Sequence, residues 1–252
     1  MKRPNLLLIG LLMAIAIQAA TTTDTVTVRI KGMRCEECAH KVNTVLHKLN
    51  GVGSIDYNLE RRTATIAYDK NQTCRDTIEA RLAATGRYKA SPYSKDEVIR
   101  RGMGLRMDDM HCQKCADRIT KCLEQIEGVD SLAPKVDKQY VFVRYDANRT
   151  TKDVIRQALT DLGFTPVNYY TGNEIGFAYF LIPEEAVNEE TIETAIVLDG
   201  VDDANVNAKR KSLAITYFKK DTSTEKLMEQ LKAEGIDATL PPAHECKEEK
   251  QQ

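Results

Sequence analysis

The sequence predicts an α+β protein of three tandem modules, each an antiparallel sheet with two helices on one face. Two observations carry that prediction. One module is written three times in a single register. With Cys35, Cys112 and Glu184 as equivalent origins, Gly51-Val52, Gly128-Val129 and Gly200-Val201 all begin at the same offset downstream. Tyr68, Tyr145 and Tyr217 share a second offset, and Gly86, Gly163 and Gly235 a third, without a gap. The repeat is about 75 residues long, too long for a solenoid unit and suited to small independent domains. The second observation is the hydrophobic period, which switches between 2 and 3.6 in the order β-α-β-β-α-β within a copy.

In the first copy, residues 25–31 alternate Val26, Val28 and Ile30 on one face, the pattern of a half-buried strand. A helix follows from about Cys38, striped by Val42, Val45, Leu46 and Leu49 and stopped at Gly51. Residues 54–58 and 63–68 form two strands around a charged turn at 60–62. Ile78, Leu82 and Ala83 stripe a second helix, Gly86 closes it, and residues 88–90 supply the last strand. The second copy repeats this with a strand at 105–107, a helix striped by Ile119, Leu123 and Ile126, alternating Val141, Val143 and Tyr145, and a helix with Val154, Ile155 and Leu159 before residues 165–169. The third repeats it at 177–182, 189–198, 213–217 and 223–234. Thr73, Thr150 and Thr222 are equivalent and stand where a hydroxyl can cap the second helix. This is the split βαβ, or ferredoxin-like, arrangement.

The flanks and joints differ in composition. Lys2 and Arg3, an apolar run over 6–17, and Ala19-Ala20 before a Thr-rich stretch predict a cleaved export signal over 1–20. The run is short for a membrane span, so a retained anchor is the lesser alternative. The first module is expected over 24–91, a charged linker over 92–102, the second module over 103–169, a short joint over 170–175 and the third module over 176–241. The charged segment 242–252, with His244 and Cys246, reads as a disordered tail. Without the signal, 34 basic residues (36 less Lys2 and Arg3) stand against 37 acidic ones, which gives no support for nucleic-acid binding. Export implies a periplasmic or secreted chain in an oxidising compartment. Seven cysteines do not make a disulfide framework here, because 42% hydrophobic content can fill three small cores unaided.

Four of the seven cysteines sit in two Met-x-Cys-x-x-Cys loops between a predicted strand and the first turn of a helix. Thiolate is the metal-binding form, and the positive end of a helix favours it. The two-residue spacing lets both sulfurs turn to one point, and two soft ligands suit a thiophilic, low-coordinate ion such as Cu(I) better than a hard cation. The candidate ligands are therefore Cys35 with Cys38 and Cys112 with Cys115. Met33 and Met110 stand at equivalent positions, and Met33 is expected in the core as an anchor rather than on the metal. His111, where the first loop has Arg34, offers a third ligand that would widen the range towards Zn²⁺ or Cu(II), although a solvent-exposed side chain is the simpler reading. Lys114 partly offsets thiolate charge and Glu36 and Glu37 do not, so the two loops should differ in thiol pKa. Cys122 occupies an apolar helix slot, and Cys74 stands at the start of a helix as an exposed thiol.

These loops, GMRCEEC and DMHCQKC, with the Gly-Val after the first helix, resemble the heavy-metal-associated domain family. That family comprises the small ferredoxin-like modules of copper chaperones, of the N-terminal tails of metal-transporting P-type ATPases and of periplasmic mercury-binding proteins. The resemblance covers nearly the whole chain after the signal. It implies a soft metal, Cu(I) first and Zn, Cd or Hg as further fits, held by Cys35 with Cys38 and by Cys112 with Cys115. It implies a donor or acceptor protein with a similar loop, or a metal-transporting membrane protein, as partner. An aromatic or Lys over the metal is part of the family pattern; Phe164 fits that place in the second copy, and Tyr88 lies near it in the first. The third copy departs from the pattern, since Glu184 and Val187 replace the cysteines after Pro183, and a docking or structural role is expected for it. No acid–base pair, activated nucleophile or phosphate loop points to catalysis. The alternatives to a metal carrier are a thiol–disulfide redox protein using the same Cys pairs and an interaction protein whose metal loops are vestigial.

Overall fold

The computed structural model describes residues 22–170 and 172–242, so the expected signal segment and the tail beyond Pro242 lie outside the described residues. Two compact units divide the chain, Met1–Tyr93 and Ser94–Gln252.

The first unit carries one module. The alternation of Val26, Val28 and Ile30 makes β1 (Thr23–Lys31), followed by α1 (Glu36–Leu46), β2 (Val52–Asn58), β3 (Thr63–Asp69), α2 (Arg75–Ala83) and β4 (Lys89–Pro92). The antiparallel sheet runs β2-β3-β1-β4, with β1 central so that its apolar face lies under both helices. Val28, Ile30, Met33, Val42, Leu46, Ile66, Ile78 and Leu82 have no exposed surface and form one core.

The second unit carries two modules. One has β5 (Arg100–Arg106), α3 (Gln113–Leu123), β6 (Val129–Lys135), β7 (Tyr140–Asp146), α4 (Lys152–Leu162) and β8 (Val167–Asn168), in the sheet order β6-β7-β5-β8. The other has β9 (Ile175–Leu181), α5 (Glu189–Ile196), β10 (Val201–Asn207), β11 (Ser212–Phe218) and α6 (Thr224–Ala233), in the order β10-β11-β9. The α+β pattern read from the sequence is therefore present three times. Its last strand shortens along the chain, from Lys89–Pro92 in β4 to Val167–Asn168 in β8, and to a single bridge between Leu181 and Thr239 in the third sheet.

The repeated Gly-Val has a common cause. Gly51, Gly128 and Gly200 take φ of +84°, +94° and +77°. A Cβ on them would come within 2.6, 2.6 and 2.8 Å of the Cβ atoms of Gln72, Arg149 and Asp221. Only glycine combines that backbone with that clearance.

Three expectations change. β5 begins at Arg100 and β4 ends at Pro92, so ordered strand enters both ends of the stretch expected as linker. Ile99 inside that stretch is fully buried, and its N–H donates to Asp146 Oδ1 at 2.8 Å. Similarly, β9 begins at Ile175, inside the expected 170–175 joint. Finally, Thr73, Thr150 and Thr222 do not cap their helices. Each is buried with its hydroxyl unpartnered, and the N-caps are the next residues, Cys74, Thr151 and Ser223. The backbone N–H of each threonine bonds back to the end of the preceding strand, at Asp69, Asp146 and Phe218, which places the helix start one position later.

Candidate metal centre

In the first loop the chain leaves β1 at Lys31 and turns at Gly32, φ +97°, where a Cβ would meet Arg87 O at 2.6 Å. Met33 then drops into the core with no exposed surface, as expected of an anchor. Cys35 becomes the N-cap of α1 in extended conformation and makes no side-chain cap bond, which leaves its sulfur free to turn outwards. Cys38 follows in the first helical turn. The two sulfurs lie 3.0 Å apart, Cys35 exposed and Cys38 buried.

Backbone bonding at Arg34 and the hydrogen bond with Cys35 draw the Cys38 thiol down to about 7, and the Arg87 charge adds to them. Arg87 Nη2 also donates to Cys38 Sγ at 3.7 Å. Sequence reasoning named Tyr88 and missed Arg87. Tyr88 is only 4% exposed and belongs to the core, with the Arg87 guanidinium 5.5 Å from its ring centroid. A signal was available: Arg87 follows Gly86 as Phe164 follows Gly163, so it stands at the register position singled out in the other copy.

The second loop repeats the frame. Met110 is fully buried, Cys112 is the uncapped N-cap of α3, and its sulfur lies 3.1 Å from that of half-buried Cys115. The bond with Cys115 is the main cause that lowers the Cys112 pKa, with Lys114 a minor one. His111 is exposed, its Nδ1 3.3 Å from Gln139 Nε2. Among the described residues no three His, Cys, Asp or Glu side chains gather as a ligand set, so each loop offers two sulfurs. Phe164 is fully buried beside this loop, flanked by Arg118 and Arg210 at 5.5 and 5.8 Å from its ring centroid.

Asp109 takes the place of Gly32 and is only 2% exposed. Burial pushes its carboxyl up to about 6, opposed by the Arg210 charge and by a 3.1 Å hydrogen bond from Thr165. In the third module Glu184–Ala186 forms a short 3-10 turn after Pro183, and α5 begins only at Glu189, capped by Asn188. Glu184 bonds Lys211 at 2.7 Å, and both Glu184 and Glu185 are exposed to solvent.

The other cysteines have local explanations. Cys122 is half-buried, and burial raises its pKa. Cys74 is exposed, and a hydrogen bond with Thr77 lowers its pKa.

Similarity to known proteins falls on the same two loops. The heavy-metal-associated domain family matches residues 27–87 and 105–165. The chain is 21% identical over 270 residues to copper-transporting ATPase 1 of Rattus norvegicus, covering 84% of this chain and 18% of that protein. It is 24% identical over 139 residues to the copper-exporting P-type ATPase of Bacillus subtilis, covering 55% and 16%. It thus spans a minor part of the length of these curated relatives. The solution structure of the N-terminal soluble domains of Bacillus subtilis CopA is 24% identical, covers 59% of this chain and 95% of its own, and superposes with a TM-score of 0.27. Each stretch matched by the heavy-metal-associated domain family encloses one Cys-x-x-Cys loop.

Proposed function

We propose that this chain is a non-enzymatic protein that carries or sequesters a thiophilic ion, Cu(I) before Zn, Cd or Hg, through Cys35 with Cys38 and Cys112 with Cys115. The observation that carries the reading is the pairing of two sulfurs 3.0 and 3.1 Å apart at the start of a helix, with lowered thiol pKa at Cys38 and Cys112. Two thiolates converging on one point favour a soft ion of low coordination number. One sulfur in each pair is exposed, which lets an incoming thiolate attack the ion and take it by ligand exchange. The copper-related names of the matched ATPases support Cu(I) as cargo and a metal-transporting membrane protein or a similar loop as partner. The basic start, apolar run and small residues of 1–20 support export to the periplasm or beyond.

The same adjacent thiols with lowered pKa also suit a dithiol–disulfide couple. One titration separates the two readings. The reduced chain lacking residues 1–20 is titrated anaerobically with Cu(I) against a competing chelator, alongside Cys35→Ser/Cys38→Ser and Cys112→Ser/Cys115→Ser chains. About two ions per chain, with one lost in each variant, is expected. Weak binding that neither variant changes would sink the carrier reading, and the reduction potentials of the two pairs would then decide the redox one.

A further inference from the structure

The second loop is not completed by its own module. Asp109, just upstream of Met110 and Cys112, is a carboxylate only 2% exposed, and its Oδ1 has no hydrogen-bond partner. A buried carboxylate is costly unless a cation or donors compensate it. Within its module, Thr165 donates to Asp109 Oδ2 at 3.1 Å. The cation that faces it comes from the third module. Arg210 Nε lies 3.6 Å from Asp109 Oδ2 and 2.6 Å from the carbonyl of Gly163, and its guanidinium is 5.8 Å from the Phe164 ring centroid. Ser212 bonds the Thr165 hydroxyl at 2.8 Å, and since Thr165 donates to Asp109, Ser212 donates to Thr165. Asn207, 1% exposed, donates to the carbonyls of Phe164 and Thr160.

We propose that the cysteine-free third module is the positioning partner of the second Cys-x-x-Cys loop, with Arg210 and Ser212 holding Asp109 and the 163–165 turn so that Cys112 and Cys115 stand ready for an ion. The first module needs no such partner, because Gly32 replaces the aspartate and its own Arg87 reaches the Cys38 sulfur. Loss of Arg210 leaves the buried Asp109 carboxylate with the Thr165 hydroxyl and backbone N–H groups but without the cation that faces it. The carboxylate then moves towards water and carries the loop with it, including Met110, which anchors the loop in the core. Removal of residues that orient metal ligands lowers affinity by about 10- to 100-fold. Coupling of this kind is reciprocal, so an ion at the second site also tightens the hold of the third module.

The proposal rests on the metal-binding reading, and the test separates the two. Arg210→Ala, Arg210→Ala/Asp109→Asn and the parent are each made in a Cys35→Ser/Cys38→Ser chain, which reports the second site, and in a Cys112→Ser/Cys115→Ser chain, which reports the first. Competition titration with Cu(I) should show about tenfold weaker binding at the second site in Arg210→Ala and an unchanged first site. Asp109→Asn, which removes the unpaired charge, should restore the second site to within about threefold. A second site within twofold of the parent in Arg210→Ala overturns the proposal. So does a loss that Asp109→Asn does not recover, because general destabilisation would then account for it. If neither background binds Cu(I), the metal reading fails and alkylation of the reduced chain decides the clamp. A severalfold faster reaction of Cys112 relative to Cys35 in Arg210→Ala sustains it, and equal rates overturn it.

Discussion

At the residue scale, the first site is decided by groups that do not share a segment. Cys38 has its thiol drawn down to about 7 by backbone bonding at Arg34, by Cys35 and by the charge of Arg87. A thiol reacts as its thiolate, so iodoacetamide should modify Cys38 of the reduced chain with a midpoint near pH 7, and Arg87→Met should move that midpoint up. A midpoint above about 8.5 in the parent would contradict the assignment, that being the ordinary range of a free cysteine. The folded-state value is depressed, so the unfolded chain holds the extra proton between about pH 7 and 8.5. The reduced first unit should therefore gain stability as pH rises through that window and lose the contribution as pH falls through 7, as urea titrations at several pH values would reveal. Cys35 and Cys38 were legible from spacing, because i and i+3 on one helical turn must face together. Arg87 was not, because its role depends on how the turn after α2 packs against Gly32.

At the element scale, repetition in sequence located the six α-helices of the described residues but misplaced the second cap by one position. Thr151 Oγ1 accepts from Val154 N at 3.2 Å and Ser223 Oγ from Lys226 N at 3.3 Å, whereas the Thr150 hydroxyl is buried without a partner. Thr151→Ala should lower the stability of the second unit by about 1 kcal/mol, the usual worth of a cap. Thr150→Val should be neutral or stabilising, since it removes an unsatisfied hydroxyl without changing shape. If Thr150→Val proves the costlier of the two in urea denaturation, the cap lies where the sequence first put it. Cys74 occupies the cap position in the first module without a side-chain cap bond. Cys74→Ser should thus stabilise that unit by up to about 1 kcal/mol, and a destabilisation would show that the thiol has another use. Repetition misled because adjacent threonine and cap positions satisfy the same pattern, and only the backbone bonds to Asp69, Asp146 and Phe218 distinguish them.

At the scale of the molecule, the second and third modules form one unit joined by polar contacts. Arg156 Nη1 donates to both Asp203 oxygens at 2.9 Å and its Nη2 to Pro166 O at 3.2 Å, while Asn168 N donates to Asp203 at 2.8 Å. Tyr169 stacks between Tyr140 and Phe177, with ring centroids 4.3 and 5.8 Å away. Breaking a largely buried pair strands the other charge, so Arg156→Ala should cost about 3 kcal/mol and uncouple the unfolding of the two modules. A loss under about 1 kcal/mol, with a single transition retained, would show that the apolar contacts hold the joint. The three modules, their antiparallel sheets and the two sulfur pairs followed from local chemistry: hydrophobic period, glycine at a crowded left-handed turn, and cysteines one helical turn apart. Each of these acts between residues close in the chain and so leaves a pattern in it. The guanidinium of Arg87 on Cys38, the burial of Asp109 and the grip of Arg210 on it link residues far apart in the chain. No period encodes such pairs; they exist because packing brings their surfaces together, where the lowered dielectric makes an isolated charge costly and a paired one tolerable.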